Sequence, residues 1–133
     1  MKEALSFFLA NFIGRNQKRC VQAIVACGEE AQWYREKMME LAVLVQTMPK
    51  TGETDGEGMN AIAQLHYFTA GADWYITEKD MEVEQHQAFG LADLFGDGGE
   101  LGYISIVELL ENHAELDLHW TPKALKECRT VAV

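Results

Sequence analysis

The sequence predicts an α+β fold: an antiparallel-dominated sheet of four or five strands, packed by N-terminal helices and two short C-terminal helices. Three observations carry this. Apolar residues up to Met48 recur at helical spacing. Past residue 60, aromatic and β-branched residues recur with a period of two between turn signals. No long β-helix-β repeat is present to support a doubly wound parallel sheet. With 133 residues, 48% of them hydrophobic, the chain suits one domain with its own core. It divides into a helical segment 1–48, an acidic Gly-rich linker 49–59 and a sheet-containing part 60–133.

In chain order, Leu5, Phe8, Leu9 and Phe12 fall on one stripe, so a short helix is expected over Glu3–Ile13, ended by Gly14. A longer helix is expected over Gln17–Thr47. Its seam runs Cys20, Ile24, Cys27, Ala31, Tyr34, Met38, Leu41, Val45, Met48, in alternating steps of four and three. At 1.5 Å per residue it would be roughly 45 Å long, more than a small domain is wide. It must therefore break near Gly28 and fold back, or protrude and pair with another chain. The seam serves as core packing in the first case and as a homodimer contact in the second. Pro49 ends the helix, and Lys50–Gly58 has the composition of a linker.

Ile62–Phe68 reads as a strand, Thr69–Ala72 as a turn and Trp74–Thr77 as the returning strand. Leu65 and Tyr67 share one face, His66 and Phe68 the other. Glu78–Gln87 is polar and acidic, as a surface connection would be. Ala88–Phe95 and Leu101–Ile104 follow as strands around the turn Gly96–Gly99. Ser105-Ile106-Val107-Glu108 has the form of a capping box opening a helix to about Asn112. Glu115–Trp120 alternates like a strand, with Leu116, Leu118 and Trp120 inward. Thr121-Pro122 has the form of a cap and first helical residue, which starts a last helix to about Arg129. Thr130–Val133 is left as a fraying tail.

The net charge is −10, unevenly spread. Residues through Met48 sum to +1 and the remainder to −11. An acidic second half repels phosphate backbones, which argues against direct nucleic-acid binding and for a basic protein surface as partner. Cys20, Cys27 and Cys128 are too few and of the wrong parity for a disulfide framework. Reduced thiols in a cytoplasm fit better, with Cys20 and Cys27 as core residues of one helix face. No run is long and apolar enough to cross a membrane, and no signal peptide is expected.

Leu65-His66-Tyr67-Phe68, Asp73-Trp74-Tyr75-Ile76-Thr77-Glu78, Phe89-Gly90, Glu100-Leu101-Gly102-Tyr103-Ile104-Ser105 with Glu108-Leu109, and Glu115-Leu116-Asp117-Leu118-His119-Trp120-Thr121-Pro122 follow one another in the order of a known motif set. Over roughly its second half the chain resembles a domain-of-unknown-function family, found in small proteins of plasmids, integrative elements and bacteriophages. The resemblance implies a mobile-element accessory protein in the cytoplasm of a bacterial host, and no particular activity. The genomic context adds inhibition of a host nucleic-acid-targeting defence, of anti-CRISPR or anti-restriction type.

Three functions follow as expectations. The first is a protein-binding inhibitor that occupies a basic, nucleic-acid-handling host surface through Glu78, Asp80, Glu82, Glu84, Asp97 and Glu100. The second is a small metal-dependent enzyme on Glu115, Asp117 and His119, which a strand would place on one face, with His66 and Asp73 joining from the hairpin. A solvated strand face explains those residues better, and no HExxH, paired CxxC or Walker loop accompanies them. The third is a dimeric assembly protein using the seam at Ile24, Ala31, Tyr34, Met38, Leu41 and Val45. The first is preferred, with no metal or cofactor assigned.

Overall fold

A computed structural model of the chain describes residues 2–128. Three helices come first: α1 (Lys2–Asn11), α2 (Arg15–Cys27) and α3 (Ala31–Thr47). The expected long helix is thus two. Gly28 causes the break: a Cβ there would sit 2.8 Å from the Ile24 carbonyl oxygen and 2.9 Å from its Cγ2. The chain turns back through Glu29–Glu30, and Arg35 of α3 donates to the Val25 carbonyl at 3.1 Å, satisfying an acceptor that the end of α2 leaves open.

The break also splits the seam. Met38, Leu41, Val45 and Met48 of the second half are buried. Of the first half, Ile24, Ala31 and Tyr34 are half-buried, while Cys20 and Cys27 are exposed. The two thiols are therefore not core residues, because α2 turns Val21 and Val25 inward instead. All three cysteines are free.

The sheet has five antiparallel strands in the order β5-β4-β3-β2-β6. They are β2 (Leu65–Thr69), β3 (Ala72–Glu78), β4 (Ala88–Asp93), β5 (Glu100–Ile104) and β6 (Glu115–Leu116). The short β1 (Ile62–Ala63) pairs instead with β7 (Lys123–Ala124) in a separate ribbon. The expected single strand Ile62–Phe68 is therefore two, divided at Gln64. Alternation along β2 is as expected: Leu65 and Tyr67 are buried, His66 and Phe68 only partly so. The helix side of the sheet packs Leu65, Tyr67 and Ile76 against Phe8, Leu41 and Ile106 in one apolar cluster. The Tyr67 hydroxyl donates to the Phe12 carbonyl. On the other side a smaller cluster gathers Tyr75 and Leu91 with Ala63, Leu125 and Cys128. Ser105 caps α4 (Ile106–Glu111), its hydroxyl accepting from the Glu108 N–H at 3.2 Å.

Three further expectations are corrected. The strand Ala88–Phe95 stops at Asp93, whose Oδ1 accepts from the Gly96 N–H at 2.8 Å and bends the chain. The strand Glu115–Trp120 stops at Leu116, because Asp117 Oδ1 accepts from the His119 N–H at 3.0 Å and closes a turn. Pro122 does not open a helix: Lys123–Ala124 is drawn into the ribbon with β1, and α5 covers only Leu125–Cys128. The tail Thr130–Val133 lies outside the described residues.

The segment 49–59 is fastened rather than loose. Thr51 donates through its hydroxyl to the Lys79 and Gln87 carbonyls at 3.0 and 2.8 Å. The Gly52 and Thr54 N–H groups donate to the Glu78 carboxylate at 2.8 and 2.7 Å, and the Thr54 hydroxyl adds a third bond. Among the described residues, no helix is long and apolar enough to cross a membrane.

Candidate functional site

The acids expected to bind a partner fall into three groups. Glu78 is 2% exposed and spends its carboxylate on the 49–59 loop, so it belongs to the interior and not to a surface connection. Asp80 is half-buried and holds its own loop, its oxygens accepting from the Glu82 and Gln87 N–H groups. That loop is wound on the fully buried Gln85, which accepts from the Asp80 N–H at 2.8 Å and donates to the Glu82 and Val83 carbonyls. Glu82, Glu84, Asp97 and Glu100 are exposed, though not as one patch. Glu82 and Glu84 precede β4, whereas Asp97 and Glu100 follow it. The six residues of β4, about 20 Å of strand, separate the two pairs along the chain.

The Asp97 and Glu100 end is the more acidic because the register brings other carboxylates to it. Phe68 pairs with Glu115 on one side and Asp73 on the other, and Asp73 faces Asp93 across β3 and β4. Directly opposed like charges destabilise a sheet. His66 engages Asp73 from the neighbouring strand: its Nε2 lies 2.7 Å from Asp73 Oδ1 and its Nδ1 3.0 Å from Asp117 Oδ2. The ring stacks on Tyr75 at 4.8 Å and is covered by Trp120 at 5.0 Å, whose Nε1 donates to the Ala63 carbonyl at 2.9 Å. With its side chain 12% exposed and both nitrogens engaged, His66 clamps the β6 turn and the β1–β7 ribbon onto the sheet.

The structure thus joins His66, Asp73 and Asp117, but not Glu115, Asp117 and His119. Asp117 points to His66, while the His119 ring stacks on Trp33 of α3 at 5.0 Å, on the helix side. Glu115 is exposed. Among the described residues, no three His, Cys, Asp or Glu side chains are grouped so as to hold a metal ion.

Burial sets the remaining protonation preferences. It pushes the Tyr75 hydroxyl up to about 12, with Asp73, Cys128, Asp93 and Asp117 adding to the shift. It pushes the Cys128 thiol up to about 11, with Lys123 opposing and Glu127 adding. Lys79 is held below the usual lysine range by burial and by Lys50, against Glu53. Its Nζ donates to the Val45 and Gln46 carbonyls at 2.6 and 3.1 Å, where a cation suits the C-terminus of α3.

At the acidic end, the β4–β5 turn also exposes apolar side chains. Phe95 is 85% exposed and Tyr103 of β5 69%, with Leu94 and Leu101 beside them in sequence. A groove of about 790 Å³ lies elsewhere, between the α1–α2 corner and α4, but Arg15 and Lys18 share its lining with Glu84, Glu111 and Glu115, so it carries both signs of charge. A division of the charge at Met48 hides a sharper feature: residues 80–122 hold ten Asp or Glu and no Lys or Arg. Seven of those ten are exposed: Glu82, Glu84, Asp97, Glu100, Glu108, Glu111 and Glu115.

A family described as a protein of unknown function, DUF2958, matches residues 36–122. The chain belongs to that family, and the match spans α3 through the β6 turn. No curated protein and no solved structure matches the chain.

Proposed function

We propose that this DUF2958 member is a protein-binding module that occupies a basic, nucleic-acid-handling surface of a partner, using the acidic end of its sheet. One observation carries the reading. A 43-residue run without Lys or Arg supplies β4, β5, α4 and β6, and the β4–β5 turn sets Asp93, Asp97 and Glu100 around exposed Leu94 and Phe95. Carboxylates spaced on a rigid sheet offer a basic groove a charge pattern of the kind nucleic acid offers. Exposed aromatics supply apolar anchors. Steering by such a field speeds encounter and weakens with salt.

The finer version follows from the family resemblance in the motifs of the second half. The protein is an accessory of a mobile element or phage, works in the cytoplasm of the bacterial host, and inhibits a defence enzyme that targets nucleic acid. The engaged carboxylates are Asp97 and Glu100. Glu82 and Glu84 act at most as a separate contact.

The test is affinity capture from host lysate with the wild-type chain and with Asp97→Lys/Glu100→Lys. The wild type should enrich nucleic-acid-handling proteins, and duplex DNA or raised salt should release them. Equal capture by the charge-reversed variant, or captured proteins indifferent to DNA and salt, would remove the acidic end from the account.

A further inference from the structure

The β5 strand forms an edge of the sheet, pairing on one side only among the described residues. Natural edges are usually blunted by Lys, Pro, a bulge or a covering element. Glu100-Leu101-Gly102-Tyr103-Ile104 carries one charge, at its first residue, and no Lys or Pro, and its register with β4 runs unbroken from Ala88↔Ile104 to Ala92↔Glu100.

Gly102, at its centre, is unusual in a second way. A Cβ there would meet nothing within 4 Å, and its φ is not in the left-handed region. Its partner across the ladder differs sharply: a Cβ on Gly90 would lie 1.9 Å from the Tyr75 carbonyl oxygen. Gly90 is therefore required by the fold, whereas neither backbone conformation nor internal packing requires Gly102. Glycine weakens a strand, and in a strand it often marks close approach by another backbone or ligand.

What lies around Gly102 indicates what approaches. On the same face, over the neighbouring Ala92 and Ile104 and not over Gly102 itself, a hollow of about 360 Å³ is lined by Trp74, Ala92, Ile104, Leu109 and Glu108. A side chain placed opposite Gly102 by an added strand would project on that face, beside the hollow. A long aliphatic stem suits the floor, and a terminal cation suits Glu108. Asp97 and Glu100 sit at the opening end of the same edge, with exposed Leu101 and Tyr103 along its other face.

We infer that β5 accepts an extended basic segment of the partner as a sixth strand, with a Lys or Arg opposite Gly102. The inference rests on the protein-binding reading and adds the mode of engagement. Main-chain pairing gives affinity, and the hollow with its carboxylate rim gives selectivity for a basic, alternating sequence.

The probe is a short synthetic peptide alternating lysine and valine, titrated into the full chain and followed by amide chemical shifts and calorimetry. The controls are the same peptide with every second backbone nitrogen methylated, and an alternating glutamate–valine peptide. Shifts should concentrate on residues 100–104, and both controls should fail to bind. Gly102→Thr fills the space opposite the incoming residue without an internal clash, so it should leave the thermal midpoint unchanged or higher while weakening the lysine peptide at least about tenfold. Glu108→Gln should weaken it less.

If Gly102→Thr binds as the wild type does while Asp97→Lys/Glu100→Lys does not, the acidic-surface reading stands and strand addition is overturned. If the methylated peptide binds as well as the parent, or the lysine peptide does not bind at all, strand addition is overturned too. A concentration-dependent dimer that Gly102→Thr abolishes would assign the edge to a second copy and overturn the basic segment.

Discussion

Glu78 and Glu100 stand at opposite ends of the same antiparallel ladder and do opposite work. Glu78 is sealed inside, where its carboxylate gathers the Gly52 and Thr54 N–H groups and so fixes the 49–59 loop against β3. Glu100 is exposed at the start of the edge strand, near Asp97 and across from Ala92. One carboxylate is consumed by folding and the other is left over. The net charge of −10 is therefore no measure of the charge available to a partner. Its useful part is the exposed set, and within that set the part the register concentrates.

The comparison breaks most visibly at Glu78. Glu78→Ala removes a buried acceptor from three donors and should cost about 3 kcal/mol of stability, read as a lowered urea midpoint. A fall of less than about 1 kcal/mol would mean that the loop is not tied down through this residue.

The His66 clamp comes next. His66→Phe keeps a ring against Tyr75 and Trp120 but abandons Asp73 and Asp117 and leaves Asp73 facing Asp93. Because Asp73 is partly exposed and screened, the expected loss is about 1–2 kcal/mol, and lowering the salt should enlarge it. A neutral result would assign the residue to stacking alone.

A gentler loss is expected in alkali. The folded state holds the Cys128 thiol proton more tightly than the unfolded chain does, raising its pKa from 9.0 to about 11. The contribution is fully present below pH 9 and is lost as the pH rises toward about 11. Tyr75 repeats the pattern between 10.0 and about 12. Urea midpoints should therefore decline across this range, and Cys128→Ala should remove the first part of the decline. A flat profile would contradict the burial of both groups.

What the sequence revealed follows the range of the interaction involved. Period-two alternation placed Leu65 and Tyr67 inside and His66 and Phe68 outside, because the pleat is local. The Ser105 cap was legible for the same reason, lying three residues from its partner. Helix spacing found both α2 and α3, and Gly28 was visible as the alternative to one long rod. The errors lie where a local pattern meets a distant partner. Glu78 looks like the first residue of an acidic loop until a segment 24 to 26 residues away closes on it. Thr121-Pro122 has the form of a helix start, but β1 takes Lys123–Ala124 into a ribbon first.

At the candidate site the balance was similar. His66 and Asp73 do meet, because they lie only seven positions apart across the β2–β3 hairpin. The Glu115-Asp117-His119 ladder failed because one side-chain bond, from the His119 N–H to Asp117, outcompetes the extended conformation that alternation implied. Cys20 and Cys27 share a face, as their spacing required, but that face points to solvent.

The smallest effect on folding should come with the largest effect on function, and that pairing tests the central claim most directly. Asp97→Lys/Glu100→Lys should be compared with the wild type for the urea midpoint and, in parallel, for capture of a DNA-competed partner. Both positions are exposed, and Asp97 spends one oxygen on the Gly99 N–H at 3.1 Å, so stability should fall by no more than about 1 kcal/mol while capture is lost. Unchanged capture at unchanged stability would contradict the claim that the acidic end of the sheet is the working surface.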